Sequence, residues 1–319
     1  MGDHTKIEWT NFFGPNSGAT WNPLAAYYEG KRGWACVRHD PACDNCYAQL
    51  LNERAPFGMG TGLPYDTRSM SKVKLELINL DQPLKWNKPR GVFTISMSDL
   101  FGNFVPEDYR RAIFTIMDFA SQHVFITLTK RIPEMVDWYI KNSWKTDQSF
   151  SIRKQFLTPA IEKAYKQWDG GQFPSPNVIV GISIGHQKIA DKALPDMRTL
   201  RQHFPDMTIM ISNEPAIGPV DWSGWENIVS WMVTGGESGD KARPMLPAWE
   251  RHTREWSVRN NIPYFFKQWG EWSPDGEIIK EKPNTPALAF DGIPMFKVGK
   301  NIAGHLVDGM AWQQFPVMS

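Results

Sequence analysis

Short apolar runs that end abruptly in polar residues recur along the chain. Six of them are β-branched or aromatic almost throughout, and we interpret them as strands: VFTISM (92–97), HVFITLT (123–129), VIVGISI (178–184), TIMIS (208–212), VSWMVT (229–234) and IPYFF (262–266). The runs are nearly continuous rather than alternating, which is typical of strands that are buried on both faces. This pattern indicates a parallel sheet.

Helical patterns fill the intervals between the runs. Pro106 stands at a favourable first-turn position, and an apolar stripe follows it from Ala112 to Met117. Further helices are predicted after Pro133 and over about 247–260. Strand and helix alternate about six times, which predicts an α/β fold whose parallel strands form a partial or full TIM-type (β/α) barrel.

Two segments depart from this alternation. Residues 140–176 are rich in Lys, Gln and Trp, and we interpret them as an insertion, either a long crossover with an additional helix or a lid. Residues 273–319 contain Pro and Gly turns and short strand-like pieces. We expect one barrel over 1–272 and a C-terminal extension over 273–319 that packs on it.

Composition and charge narrow the class of protein. The chain is 41% hydrophobic and 22% charged, as in a globular protein with a sizeable core, and its net charge of +1 gives no global attraction to nucleic acid. The sequence shows neither a signal-peptide pattern nor an apolar run of membrane-spanning length. We therefore expect a cytoplasmic protein without membrane contact, whose thiols stay reduced.

All three cysteines, Cys36, Cys43 and Cys46, lie within GWACVRHDPACDNCYA (33–48). The odd number and the reducing compartment favour a metal or a cluster over disulfides. Together with His39, the cysteines would suit a structural zinc site. The stretch PACDNC also resembles half of the zinc deaminase motif, but the His-x-Glu that those enzymes need upstream is missing, so we exclude that class.

A [4Fe–4S] cluster is the third possibility for the cysteines. Such clusters usually take four thiolates, so three cysteines leave one iron open. In radical enzymes S-adenosylmethionine occupies that iron, and an electron from the cluster cleaves its sulfonium bond to give an adenosyl radical. A cluster loop over 34–48, placed after the first strand of a barrel, would keep this chemistry in a cavity that is poor in water.

Blocks of sequence spread along the chain carry a resemblance to a known family. They are KIEWT (6–10), TWNP (20–23), the cysteine block, PLKWNKP (83–89), SMSDLF (96–101), LTKRIPEM (128–135), NEPAIGPVDW (213–222), GGESGDKARPM (235–245), FFKQWGEW (265–272) and GKNIAGHLVDGMAW (299–312). In these blocks the chain resembles the phage-encoded three-cysteine-motif family, which is regarded as a divergent relative of radical S-adenosylmethionine enzymes. The cysteine spacing is wider than the common Cys-x3-Cys-x2-Cys. Asn45 stands where an aromatic residue is usual, and Tyr47 follows the last cysteine.

The resemblance implies a radical SAM-like barrel with a [4Fe–4S] cluster and S-adenosylmethionine as cofactors. It also implies a phage setting, which favours rearrangement (isomerase-type) or another modification of a group on a hypermodified base of phage DNA. The expected partners are that DNA base and an external electron donor such as flavodoxin or ferredoxin. Two alternatives come from other classes: a zinc-stabilised accessory protein that binds nucleic acid, and a metal-dependent hydrolase that uses Asp99, His186 and Glu237.

The strand ends supply the candidate site residues, because the carboxyl ends of the strands form the active site in such barrels. Bound S-adenosylmethionine needs acceptors for its amino group, a cation for its carboxylate, and a carboxylate or amide for its ribose. The candidates for the amino group are Ser96, Ser98 and Asp99. Lys130 and Arg131 are the candidates for the carboxylate, and Asn213 and Glu214 are those for the ribose.

The residues at the remaining strand ends are expected either to let a ligand lie close to the backbone or to act in catalysis. Gly235 and Gly236 would let the backbone come close to a ligand. Glu237 and Lys267 are the catalytic candidates, and Gln268 is a substrate contact. The structural alternative is an ion pair inside the barrel that joins Lys130 or Lys267 to Asp99 or Glu237.

Overall fold

The computed structural model describes residues 5–55, 58–142, 153–168, 170–274, 288–290 and 292–318. Its strands are β1 (Gly18–Trp21), β2 (Leu24–Tyr28), β3 (Lys31–Gly33), β4 (Lys74–Leu77), β5 (Gly91–Thr94), β6 (Val124–Thr129), β7 (Val178–Ser183), β8 (Ile209–Asn213), β9 (Trp231–Gly235), β10 (Tyr264–Gln268), β11 (Trp272–Pro274), β12 (Leu288–Phe290), β13 (Ile293–Lys297), β14 (Leu306–Val307) and β15 (Met310–Ala311). Its α-helices are α1 (Tyr47–Arg54), α2 (Thr67–Met70), α3 (Glu107–Phe119), α4 (Ile132–Asn142), α5 (Pro159–Gln167), α6 (Gln187–His203), α7 (Pro247–Arg259) and α8 (Lys300–Ala303).

Seven of the described strands form one parallel sheet in the order β1-β5-β6-β7-β8-β9-β10. The predicted parallel α/β sheet is therefore confirmed, and each of the six predicted runs overlaps a strand of the sheet. β5 is shorter than its run because Ile95 adopts a left-handed backbone (φ 57°) and turns the chain away. β1 is a strand that the apolar pattern did not predict, since it has only four residues and two of them are Gly18 and Thr20.

The sheet is curled into a half-barrel around one tryptophan. The ring of Trp9 lies 4.9 Å from that of Phe93 on β5 and 6.5 Å from that of Trp231 on β9. In a flat sheet these two strands would be about 19 Å apart, because four strand spacings separate them. Apolar side chains from β5 to β10 meet Trp9 in one buried cluster, which forms the concave side of the core.

Segments near both ends of the chain cover the edges of the half-barrel. On the β1 side, the amide of Thr5 donates to the carbonyl of Gly18 at 3.1 Å. On the β10 side, the amide of Gln314 donates to the carbonyl of Tyr264 at 3.0 Å. β1 and β10 do not pair with each other, so the described sheet is an open half-barrel whose edges are protected by neighbouring backbone.

Helices cover the convex face of the sheet and form the larger part of the core. The stripe predicted on α3 is confirmed, since Ala112, Ile113, Ile116 and Met117 are buried there. None of the described helices has both the length and the apolar composition that a membrane crossing requires.

The predicted insertion is described only in part, because residues 143–152 and 169 lie outside the described ranges. Its helix α5 contacts α3 and lines a groove with His123 and Asn177, which precede β6 and β7. α5 therefore lies at the amino ends of the strands and does not cover their carboxyl ends. The additional helix expected in this segment corresponds to α5, and the lid stays a prediction, because residues 143–152 and 169 lie outside the described ranges.

Glu250 on α7 is a carboxyl group buried inside the core. Its Oε1 accepts a hydrogen bond from the Tyr264 hydroxyl at 2.9 Å and lies 3.4 Å from Nε of Arg254. Burial raises the pKa of Glu250 to about 7, although Arg254 and the hydroxyl of Tyr264 act in the opposite direction. The folded protein therefore favours the protonated carboxyl up to near-neutral pH.

Replacing Glu250 by Gln should change how stability depends on pH. The folded pKa of about 7 lies above the unfolded value of about 4.3. The contribution of Glu250 to stability is therefore full below about pH 4 and is lost as pH rises through 7. Relative to wild type, Glu250→Gln should gain up to about 3 kcal/mol in free energy of unfolding between pH 4.5 and pH 8. Urea unfolding at both pH values measures this gain, and the same difference between variant and wild type at both would contradict it.

Candidate functional site

A cavity of about 500 Å³ lies at the carboxyl ends of the sheet strands, a volume in the usual range for small-molecule sites. All three cysteines line it. The predicted residues that also line it are Ser96, Ser98, Asp99, Lys130, Arg131, Glu214, Gly236, Glu237, Lys267 and Gln268. Parallel strands thus bring together residues that are far apart in sequence.

Two of the predicted cofactor contacts lie outside the cavity lining. Asn213 is buried in β8, where its Nδ2 donates to the carbonyl of Ile184 at 2.7 Å and fixes the end of β7. Gly235 ends β9, and its carbonyl accepts from the amide of Ala216 at 2.9 Å. Both residues therefore have structural roles in this arrangement.

Gly236 allows the loop after β9 to lie very close to the backbone at Trp269. A Cβ at this position would lie 1.9 Å from the carbonyl oxygen of Trp269. The absence of a side chain thus lets the loop after β9 pack directly against the chain that follows β10. This explains the glycine without the close ligand that we expected there.

The cysteine loop, residues 34–46, connects β3 to α1. Cys43 ends a single 3-10 turn, Pro41–Cys43, in which the carboxylate of Asp40 accepts a hydrogen bond from the Ala42 amide at 2.8 Å. Cys36 and Cys46 pack beside Tyr65, and burial raises the pKa of both thiols. Cys46 immediately precedes α1, so the first amides of the helix face its sulfur and favour the thiolate, although no side-chain cap hydrogen bond of standard geometry is formed.

Hydrogen bonds from two strand ends hold the segment around Cys36. Oγ of Ser98, after β5, donates to the carbonyl of Ala35 at 2.6 Å. Nη2 of Arg131, after β6, donates to the carbonyl of Val37 at 2.7 Å. Both neighbours of Cys36 are thus fixed to the sheet, and these two side chains position the loop.

Asp99 organises the ends of β5 and β6. Its carboxylate accepts hydrogen bonds from the Thr129 hydroxyl at 2.7 Å, the Phe101 amide at 3.0 Å and the Lys130 amide at 3.2 Å. It also forms a buried ion pair with Arg131 at 3.4 Å. Because these donors occupy the carboxylate, Asp99 is an organising residue here, and not the free acceptor for an amino group that we expected.

Glu237 joins the loop after β9 to the second half of the cysteine loop. Its Oε2 accepts from Nδ2 of Asn45 at 3.0 Å, and its Oε1 accepts from Nη2 of Arg243 at 2.6 Å. Arg243 also donates to the carbonyl of Pro41 at 3.1 Å. Glu237 is only 4% exposed; burial alone would raise its pKa, but the hydrogen bonds from Arg243 and Asn45 bring that pKa below its ordinary value.

We call Asn45, Glu237 and Arg243 the loop clamp. Glu237, which we expected to be a catalytic group, lines the cavity, and its carboxylate is engaged in the clamp. Asn45 and Arg243 were missed as site residues. The available signal was the position of Arg243, six residues after Glu237 in GGESGDKARPM, but only the fold shows that the two side chains meet over the cysteines.

The ion pairs in the cavity are not those considered from the sequence, in which Lys130 or Lys267 would pair with Asp99 or Glu237. Lys267 pairs with Glu214, at 2.5 Å between Nζ and Oε1, and this pair stays partly open to the cavity. Lys130 forms no ion pair with any described residue and lies near Cys46, where its charge favours the thiolate. Ser96 exchanges hydrogen bonds with Asn22 through its hydroxyl, and its carbonyl accepts from Tyr47 at 2.7 Å.

The histidine-containing sites considered from the sequence are not assembled. His39 is exposed and lies outside the cavity lining, so it does not complete a tetrahedron with the cysteines. His186 is also absent from the lining, and Asp99 and Glu237 are engaged elsewhere, which excludes the hydrolase arrangement. His123 lies at the amino end of β6 between the Arg90 amide and the Pro83 carbonyl.

The three cysteines share one cavity but do not form a ready metal site. Their three sulfurs line one cavity, and Cys46 interacts electrostatically with both Cys36 and Cys43. No three His, Cys, Asp or Glu side chains of the described ranges converge closely enough to hold a metal ion in this conformation. Loading would therefore require the thiols to turn toward one another within the loop.

Comparison with known proteins identifies a family. Residues 4–316 match the model of the family described as a protein of unknown function, DUF5131. The chain belongs to this family. Neither the curated proteins nor the solved structures give a match. The function of this DUF5131 protein is therefore inferred from its cavity.

Breaking the loop clamp should destabilise the protein and expose the thiols. Arg243→Met leaves the buried carboxylate of Glu237 without its cation, which should cost about 2–3 kcal/mol in free energy of unfolding. Cys43 and Cys46 should also react at least several-fold faster with a thiol reagent in the folded state.

Arg111→Met is the matched control, because Arg111 forms an exposed ion pair with Glu107 at 2.8 Å. It should cost less than about 1 kcal/mol and leave thiol reactivity unchanged. Equal thiol reaction rates in the two variants would refute the clamp.

Proposed function

We propose that this chain is a radical S-adenosylmethionine enzyme whose [4Fe–4S] cluster is held by Cys36, Cys43 and Cys46. One observation carries the proposal: all thiols of the chain lie in one loop on the wall of a cavity, at the carboxyl ends of a parallel half-barrel. Three thiolates leave one iron of such a cluster open for a cofactor.

A cluster held by these three cysteines would supply one-electron reduction of bound S-adenosylmethionine, and with it radical chemistry on the substrate. The chain itself keeps the thiols in place through Ser98, Arg131 and the loop clamp. It also excludes water, because Trp9 and Phe93 close the floor of the cavity with apolar rings. An external one-electron donor such as flavodoxin or ferredoxin is required as a partner.

The residues proposed to bind S-adenosylmethionine are those whose polar groups are not already bonded to other residues of the cavity. Arg131 is committed to Asp99 and Val37, so Lys130 is the cation for the carboxylate of the cofactor. Glu214 uses Oε1 for Lys267, and its other oxygen has no hydrogen bond to a described residue, so it can accept from the ribose hydroxyls.

Lys267 and Glu214 are placed to move a proton during the reaction. Their hydrogen bond of 2.5 Å joins an ammonium and a carboxylate on the cavity wall, and both side chains are about one-fifth exposed. We assign them to an isomerase-type rearrangement, or a related modification, of a group on a hypermodified base of phage DNA. The resemblance of the sequence blocks to a phage-encoded family supports this substrate.

Anaerobic reconstitution tests the proposed function. Wild-type protein treated with iron and sulfide should hold about four of each per chain and absorb broadly near ~400 nm. With a reductant and S-adenosylmethionine it should release 5′-deoxyadenosine. Cys43→Ala should lose the absorbance and the product together, because no other thiol can replace Cys43.

His39→Ala is the control for the zinc alternative, since His39 lies outside the cavity lining. It should retain both iron and product. A single zinc per chain that is lost in His39→Ala would instead establish a zinc-stabilised protein and refute the radical mechanism.

A further inference from the structure

The acidic side chains on the wall of the cavity are each neutralised by a basic partner. Asp99 pairs with Arg131, Glu214 with Lys267, and Glu237 with Arg243. Lys130 lies near Cys46, and its charge is the one assigned above to the carboxylate of S-adenosylmethionine. The interior of the cavity thus has no surplus positive charge for a further anion.

The rim of the cavity does have a surplus of positive charge. Lys6, Arg38 and Lys300 line the cavity and are exposed, and none of them forms an ion pair with a described residue. Glu8 is the one exposed carboxylate among the residues that line the cavity. Three cations against one anion leave the rim positive, although the whole chain is nearly neutral.

The three cations come from separate parts of the chain. Lys6 belongs to the segment that leads to Trp9, which is anchored between Phe93 and Trp231 in the open half-barrel. Arg38 belongs to the cysteine loop, where its Nε donates to Gln49 at 3.0 Å. Lys300 begins α8, and the carbonyl of Gly304 at the end of that helix accepts from the Trp269 amide just after β10 at 3.0 Å. Lys6 of the KIEWT block and Lys300 of the GKNIAGHLVDGMAW block therefore line the same cavity.

We propose that Lys6, Arg38 and Lys300 form a phosphate-binding rim that holds a DNA strand while one of its bases enters the cavity. This inference rests on the proposed function, because it specifies how the substrate of that same site is held. An exposed cation contributes only about 1 kcal/mol to a single contact in water, so a free anion would bind weakly here. A strand has one phosphate per nucleotide and engages several cations at once, which adds these small terms together.

The geometry favours a strand whose target base leaves the base stack. The cations lie at the mouth, while apolar and hydrogen-bonding groups lie inside. A nucleotide that keeps its phosphates outside and turns its base inward matches this distribution of charge. A small anionic substrate would require its own cation within the cavity, where each basic group is already paired or, in the case of Lys130, assigned to the cofactor.

Fluorescence anisotropy with a labelled single-stranded 20-mer tests the rim on the full-length protein. Lys6→Gln combined with Lys300→Gln should weaken binding about tenfold at 100 mM salt, and should reduce the slope of log K against log salt by about 0.7 for each cation removed. Lys166→Gln combined with Lys192→Gln is the matched control. It removes the same charge from exposed positions on α5 and α6, outside the cavity lining, and should leave affinity and slope nearly unchanged.

Two results would overturn the rim. One is an equal loss of affinity in the two double variants, which would indicate nonspecific attraction. The other is competition by a mononucleotide as effective as that by the 20-mer at equal phosphate concentration, which would indicate a small anionic substrate. The measurement needs no iron, so a failure to form 5′-deoxyadenosine would not affect it, and a failure of DNA binding would leave the cluster assignment in place.

Discussion

The buried carboxylates Asp99 and Glu237 are the constraint on which the cavity depends. Each is neutralised by an arginine, and in both cases that arginine also donates to a carbonyl of the cysteine loop, at Val37 for Arg131 and at Pro41 for Arg243. The two arginines neutralise the buried carboxylates and also hold the cysteine loop, which has no strand of its own, against the sheet. Two points of one loop, four residues apart, are thus held from the ends of two different strands, one directly after β6 and one through the loop after β9.

Much of the fold could be predicted because the strands of a parallel sheet leave near-continuous apolar runs. The run VIVGISI contains β7, and the stripe on α3 matches its buried face. β1 escaped prediction because GATW has too few apolar residues to stand out, and because its place beside β5 is set by pairing that is distant in sequence. The degree of curl also depends on one residue, Trp9, whose contacts no local pattern reveals.

The candidate site could be predicted as a set of residues, but their roles could not. Polar groups after buried strands converge wherever the strands are parallel, so Ser98, Asp99 and Lys267 were identifiable from position alone. Whether a carboxylate is free or paired depends on side chains contributed from elsewhere, such as Arg243 opposite Glu237. The role of Asn45 could not be predicted for the same reason, since its partner Glu237 lies 192 positions further along the chain.

The closure of the half-barrel also affects when the concave core can be completed during synthesis. Gln314 pairs with β10, and Phe315 packs against Trp231 and Phe12 inside the concave core. A nascent chain still within the ribosome lacks these contacts, so its last strand edge and aromatic floor stay open to water. The concave core therefore closes only after Gln314 and Phe315 have emerged, however early the cysteine loop is made.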